Sequence, residues 1–215
     1  MLKQWKTTLL TPSKALKWWE VILLVIAAIA VLWCAVLSLR QQQLAQKLVR
    51  LHVVANSDSA EDQALKLQVR DAVLEQAAWL LAGVTEMAQA EQVLAEHLEE
   101  LNQTATSVIA TQGHTYSVET GLETVHFPTK TYESFALPAG DYRALRVVIG
   151  AGDGQNWWCV VFPTLCVPAT SEWMDTAASG GMTGEEVALM EGQETEYIVK
   201  FKCLEWLDWL KERLR

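Results

Sequence analysis

No CxxC pair, no G-x-S-x-G elbow and no complete dinucleotide fingerprint occurs in this chain. The first absence, with no histidine close in sequence to a cysteine, leaves no zinc-site spacing. The second removes a common serine-hydrolase signature. In the third case Gly150, Gly152 and Gly154 alternate, but Gln155 holds the place of the last fingerprint glycine and a strand follows where a helix is needed. The glycines therefore read as a structural turn that uses positive φ. Positive charge is also scarce beyond the N-terminus. Residues 41–215 hold 12 Lys+Arg against 25 Asp+Glu, within a whole-chain charge of −9. Such a domain is repelled by nucleic acid and by anionic lipid and wall polymers, which leaves proteins as the favoured partners. No cofactor, nucleic-acid partner or small-molecule substrate is expected.

What the chain does have is one long apolar run. Val21 to Leu39 is nineteen residues without a charge, glycine or proline, close to the length of helix that fits a bilayer core. Lys3, Lys6, Lys14 and Lys17 precede it, and Trp18 and Trp19 stand at its edge as interfacial anchors. The charge bias places the N-terminus in the cytoplasm and the rest outside. Val36 and Ser38 are small enough to precede a cleavage site, so an uncleaved anchor and a cleaved signal both stand. The expected organisation is a basic cytoplasmic tail at 1–20, a transmembrane helix or signal anchor at 21–39, a stalk at 40–49, and one extracytoplasmic α+β domain at 50–215.

Within that domain, residues 51–55 read as a buried strand, and 56–59 break it with several helix-capping side chains. Ser59 and Asp62 resemble a capping box. A helix is expected over 60–82, with Leu65, Val69, Ala72, Val73 and Leu80 on one face and Gly83 as its stop. A second, continuous helix is expected over 85–112, ended by Gly113. From His114 the pattern turns to strands at 116–120, 124–127, 132–137, 142–150 and 157–162, punctuated by Gly121, Pro128 and Pro138. Their close spacing predicts an antiparallel sheet covered by the two long helices, and the glycine turn predicts a hairpin between its last two strands. Trp157 and Trp158 are adjacent and so face opposite sides of their strand. Residues 168–194 read as a mobile loop with at most a short helix at 185–190. A strand at 195–202 and a closing helix at 203–215 follow.

Cys34 lies in the apolar run, whereas Cys159, Cys166 and Cys203 lie where disulfides persist. Fully extended, Cys159 and Cys166 stand roughly 23 Å apart. A bridge allows under about 7 Å between Cα atoms, so pairing requires a chain reversal near Pro163-Thr164. Proximity is expected; a bridge and two buried thiols both stand. For catalysis, Ser57, Ser59 or Cys159 with His52, His114 or His126 forms no recognisable nucleophile–base arrangement. Helix capping accounts for Asp58 and Asp62.

Two blocks carry a resemblance. The first is HVVANSDSAEDQALK at 52–66, continuing as VRDAVL at 69–74. The second is FPTKTY at 127–132, LPAGDY at 137–142, Ala144-Leu145-Arg146, GQNWWCVVFP at 154–163 and Leu165-Cys166, with VKFK at 199–202. Together they closely resemble the stage II sporulation protein R family of endospore-forming bacteria. The resemblance implies a non-enzymatic signalling protein, made in the forespore and exported into the space between the forespore and mother-cell membranes. There it would activate the stage II sporulation GA-type membrane aspartic protease, which processes pro-sigma-E in the mother cell. A membrane-anchored envelope hydrolase using Asp58 or His52 is the alternative, and a structural envelope protein a third.

Loops held on a rigid scaffold commonly carry recognition. The expected partner surface therefore joins the turn at Asn56 and Asp58 to the turn at Gln155, Asn156, Trp157 and Trp158, on one side of the domain. The competing reading is that Asn56 and Asp58 only cap a helix and Gln155 and Asn156 only close a hairpin.

Overall fold

The computed structural model describes residues 17–132, 135–163 and 173–190, together with residue 213. Apart from that residue, the expected strand at 195–202 and helix at 203–215 lie outside the described residues, as do residues 1–16 of the expected tail.

Helix α1 (Trp18–Ala45) contains the apolar run. It has 28 residues, a mean hydropathy of 3.0 over its most apolar window, and none of that window buried in the protein. It is long and apolar enough to cross a membrane, and its bare apolar surface suggests membrane anchoring. Its last turn behaves differently. Gln41, Leu44 and Ala45 are buried, as is Leu48 just beyond. The second half of the expected stalk is therefore part of the folded domain, because Leu44 and Leu48 pack against Phe127, Tyr142 and Val160.

Strand β1 (Val49–Val54) is buried at every residue, which requires cover on both faces and pairing on both edges. Val49, Leu51 and Val53 join one core, while Arg50 and His52 point to the other side. Helix α2 (Ala60–Leu80) follows. Its N-cap is Ser59, whose Oγ accepts the Asp62 N–H at 3.1 Å. Ser59→Ala should cost about 1 kcal/mol, visible as a lower urea midpoint at unchanged slope. The return half of the capping box is absent, because the Asp62 carboxylate is turned toward Asn56 and Ser57.

The single helix expected over 85–112 is two: α3 (Met87–Glu96) and α4 (Leu98–Thr111). The break falls at His97, with φ −113° and ψ 19°. Its ring Nδ1 bonds the Val93 carbonyl at 2.8 Å, and its own N–H turns to Leu94 O. Leu94 and Leu101, on either side of the break, are both fully buried. Gly113 ends α4 as expected. It has φ +82°, and the 113 and 114 N–H groups bond the carbonyls of Ala110 and Ile109, a Schellman closure.

The remaining elements are β2 (Val118–Phe127), β3 (Lys130–Thr131), β4 (Ala136–Leu137), β5 (Gly140–Ile149), β6 (Asn156–Phe162), α5 (Trp173–Ser179) and α6 (Gly184–Met190). Gly121 does not divide β2, which runs through both strands expected there. The single strand expected at 132–137 is replaced by the small β3–β4 pair.

The main sheet has the order β2-β5-β1-β6, with β1 parallel to β5 and the other pairings antiparallel. This corrects the expected all-antiparallel sheet. The hairpin expected between residues 145–149 and 157–162 is also absent, because β1 lies between β5 and β6. A strand buried at every residue, as β1 is, is worth most at the centre of a sheet, and the glycine-rich segment bridges over its end. Helices α2, α3 and α4 cover one face around Leu51, Val69, Leu101, Leu145 and Val161. The opposite face is covered at one end by α1, α5 and α6. The stretch expected as a mobile loop thus contains two helices, and Ala177, Met182 and Met190 are buried there. Lys47 Nζ fixes α6 through Glu186 at 2.8 Å and Gly181 O at 3.1 Å. The protein is α+β with a mixed sheet.

Candidate recognition surface

At the C-terminal end of β1 the chain must leave the sheet and start α2 within five residues. Asn56 makes this turn a junction. Its Nδ2 donates to Asp62 Oδ2 at 2.8 Å, and its Oδ1 accepts the Ala151 N–H at 3.0 Å. Ser57 Oγ donates to the same Asp62 oxygen at 2.6 Å. The glycine-rich segment then lies on this turn backbone to backbone. Asp153 N–H reaches Asn56 O at 3.2 Å, and Gly154 N–H reaches Ala55 O at 3.0 Å. Asp58 Oδ1 accepts the Gln155 N–H at 2.8 Å. Lys66, itself buried, closes the assembly by donating to Gln155 O at 3.1 Å and to Gln63 Oε1 at 2.6 Å.

Two glycines permit this approach. At Gly154 a methyl group would collide with the Ser57 carbonyl oxygen. At Gly150, φ is +58° and a methyl would collide with the Asn56 side chain. Their role is therefore close approach to a neighbouring turn, which local sequence does not reveal.

The four polar candidates Asn56, Asp58, Gln155 and Asn156 are thus brought together. Asp58 is not an N-cap of α2; it holds the second turn. Asp58, Asp153, Gln155 and Asn156 are exposed. Trp157 and Trp158 take opposite faces as expected, and both are half-buried, so neither ring is left bare. Trp157 packs on the helix-covered core with the Arg70 guanidinium 4.2 Å over its ring. Trp158 packs beside Phe127, with ring centroids 6.2 Å apart. Cys159 is buried and disulfide-bonded. Cys166 and Cys203 lie outside the described residues.

Electrostatics favour a rigid unit. The Ser57 hydroxyl and the Asn56 amide, with smaller help from Tyr116 and His114, hold the Asp62 carboxyl below its ordinary range. Burial, with the charge of Arg70, lowers the Lys66 ammonium. His52 Nε2 lies 2.7 Å from Asn156 Oδ1. Burial first, then Arg146 and Arg50, push its pKa below the ordinary 6.5. A lowered pKa means that the unfolded chain binds the proton more readily. Stability from neutral His52 is therefore full above about pH 6.5 and is lost as pH falls through the folded value. His52→Gln should flatten that part of the stability–pH profile, with NMR titration of His52 giving a midpoint below 6.5.

Sequence reasoning missed several residues. Arg50, a charge inside an apolar strand, is fully buried. Its guanidinium lies 4.0 Å from the Phe127 ring centre and 2.8 Å from the Tyr132 hydroxyl. Trp79 is 72% exposed in a groove with Glu75, Gln76 and Glu100. A second groove lies between β2 and β5. Among the described residues no group of three or more His, Cys, Asp or Glu is placed to hold a metal.

Register fixes where the surface sits. Gln41 of α1 donates to Ala139 O, at the end of the sheet where Gly140 pairs with Phe127. The Asn56 and Gln155 turns are at the other end, beyond Val54, Val148 and Asn156. The six residues of β1 put roughly 20 Å of strand between them.

These features define a helix-borne α+β domain that ends, away from its helix, in a rigid polar platform built from two turns. The chain belongs to the stage II sporulation protein R family, whose family model matches residues 45–172. It is 34% identical over 177 residues to stage II sporulation protein R of Bacillus subtilis (strain 168), covering 74% of this chain and 79% of that protein. This kinship supports a role in sporulation. No solved structure matches. The matched region begins at Ala45, where α1 enters the domain, and spans both turns of the platform.

Proposed function

We propose that this protein is a non-enzymatic extracytoplasmic signal that activates the membrane aspartic protease processing pro-sigma-E in the mother cell. It acts from the space between the forespore and mother-cell membranes, with α1 as its anchor or export signal. One observation carries the reading: the two turns are locked into a single exposed platform at the end of the sheet remote from α1. A surface so placed faces away from the membrane that holds the helix, toward a partner across a narrow gap. Preorganised backbone and short polar side chains lower the ordering cost of binding. Activation then needs binding energy and no chemistry, for example by bridging the extracytoplasmic parts of a protease dimer.

The polar side chains support the same reading. Asp58 is engaged by the Gln155 amide, and His52 is buried against Asn156. Neither is poised as a general base toward an open cleft. Co-expression of the full chain with the protease and its sigma precursor in a non-sporulating host tests the proposal. Precursor cleavage that depends on the chain supports it, and cleavage indifferent to the chain defeats it. Turnover of peptidoglycan by the purified protein, lost on changing Asp58 or His52, would instead establish the hydrolase alternative.

A further inference from the structure

Strand β2 is an edge of the main sheet among the described residues. It runs for ten residues, contains no lysine or proline, and pairs with β5 without a bulge. Natural edges are usually blunted by such devices. The Gly150 N–H bonds Ser117 O, so the alternating antiparallel pattern turns the polar groups of Glu119, Gly121, Glu123 and Val125 toward β5. Those of Val118, Thr120, Leu122, Thr124 and His126 turn outward. Asn102 Nδ2 donates to the Val118 carbonyl at 2.9 Å, which agrees with that parity and caps one end of the edge.

The face beside this edge is also shaped. Glu119, Gly121, Glu123, Arg146 and Val148 border a groove of about 270 Å³. A methyl at Gly121 would meet nothing within 4 Å. Glu123 is paired with Arg146 at 3.2 Å, whereas Glu119 makes no ion pair among the described residues.

We propose that the outer edge of β2 is a strand-addition site for an extended, basic segment of a partner protein. The outward N–H and C=O groups of Thr120, Leu122 and Thr124 supply the ladder. Residues of the added strand opposite Glu119 and Glu123 share their face and carry basic side chains, since opposite charges across a pair stabilise it. The residue opposite Gly121 fills the open groove, as pockets for alternate side chains do in strand addition. The inference deepens the activator reading and rests on it, because it names the chemistry of a second contact with the partner.

The test uses the full chain in zwitterionic detergent micelles and an acetylated Thr-Lys-Thr-Leu-Thr-Lys-Thr peptide as probe, read by hydrogen exchange. Bound peptide should slow exchange of the Thr120, Leu122 and Thr124 amides by about tenfold or more. A version with glutamate for lysine, and one N-methylated at the edge-facing amides, should leave exchange unchanged. Thr124→Pro should abolish the protection at an unchanged melting temperature, because an edge position with its N–H outward accepts proline; Thr124→Ala should retain it. If the proline variant does not fold, the N-methylated probe still decides. No protection, or equal protection by the acidic peptide, overturns the proposal. So does protection without peptide that grows with protein concentration, which would make a second copy the occupant. The activator reading is judged separately by chain-dependent precursor cleavage, so the two can fail independently.

Discussion

Gln155→Ala should sharply reduce precursor cleavage while leaving the melting curve of the protein in place. The Gln155 backbone is held at both ends, its N–H by Asp58 and its carbonyl by Lys66. Its side chain is exposed and makes no hydrogen bond among the described residues. Truncation therefore removes an amide that the proposed function gives to the partner, and nothing that supports the platform. A central contact in a preorganised surface is worth about 2 kcal/mol or more, which is more than about tenfold in affinity. Its neighbours should behave differently. Asn156→Ala also leaves buried His52 without its partner, and Asp58→Ala strips the acceptor from the Gln155 N–H. Both should lower stability and cleavage together. Cleavage assays paired with thermal melts of the three variants check this ordering.

Asp62→Ala should give the largest loss of stability among single changes in the platform, at least about 2 kcal/mol in urea unfolding. Its carboxylate is buried and accepts from Ser57, Asn56 and Tyr116. Each buried group left unpaired costs about 1–3 kcal/mol, and here several are orphaned at once. Asp62→Asn keeps the shape and one acceptor, and should recover part of the loss. The pH dependence follows from the lowered pKa. The unfolded carboxyl, near its ordinary 3.8, takes up its proton first as the solution is acidified. Stability from Asp62 is therefore full above about pH 4 and lost as pH falls through the folded value. Asp62→Asn should remove that acid-limb slope. A slope unchanged in the variant would mean that other carboxyls govern it.

Local features were readable where a residue's role is set by its near neighbours. Ser59 caps α2, Gly113 closes α4, and the apolar faces of both helices point to the core. Val21–Leu39 stood out by length alone. Non-local pairing was not readable. Nothing within residues 145–162 states that β1 comes between β5 and β6, and two strands joined by glycines look alike whether they pair or straddle a third. Gly121 punctuates the sequence pattern, yet a strand whose edge faces solvent tolerates it. The turns at Asn56 and Gln155 were recognisable as polar turns, but their bonding to each other depends on that inserted strand. His97 splits a helix through its own ring, and periodicity, which continues across the break, does not register it.

Activation by contact through the platform is tested most directly by setting precursor cleavage against the amount of folded protein. Wild-type chain and Gln155→Ala would be co-expressed with protease and precursor at matched levels. Melting temperatures of both would be taken from the purified proteins. Equal melting temperatures are expected, with cleavage lost or sharply reduced in the variant. Full cleavage by Gln155→Ala, or a loss that only tracks a lower folded amount, would contradict it.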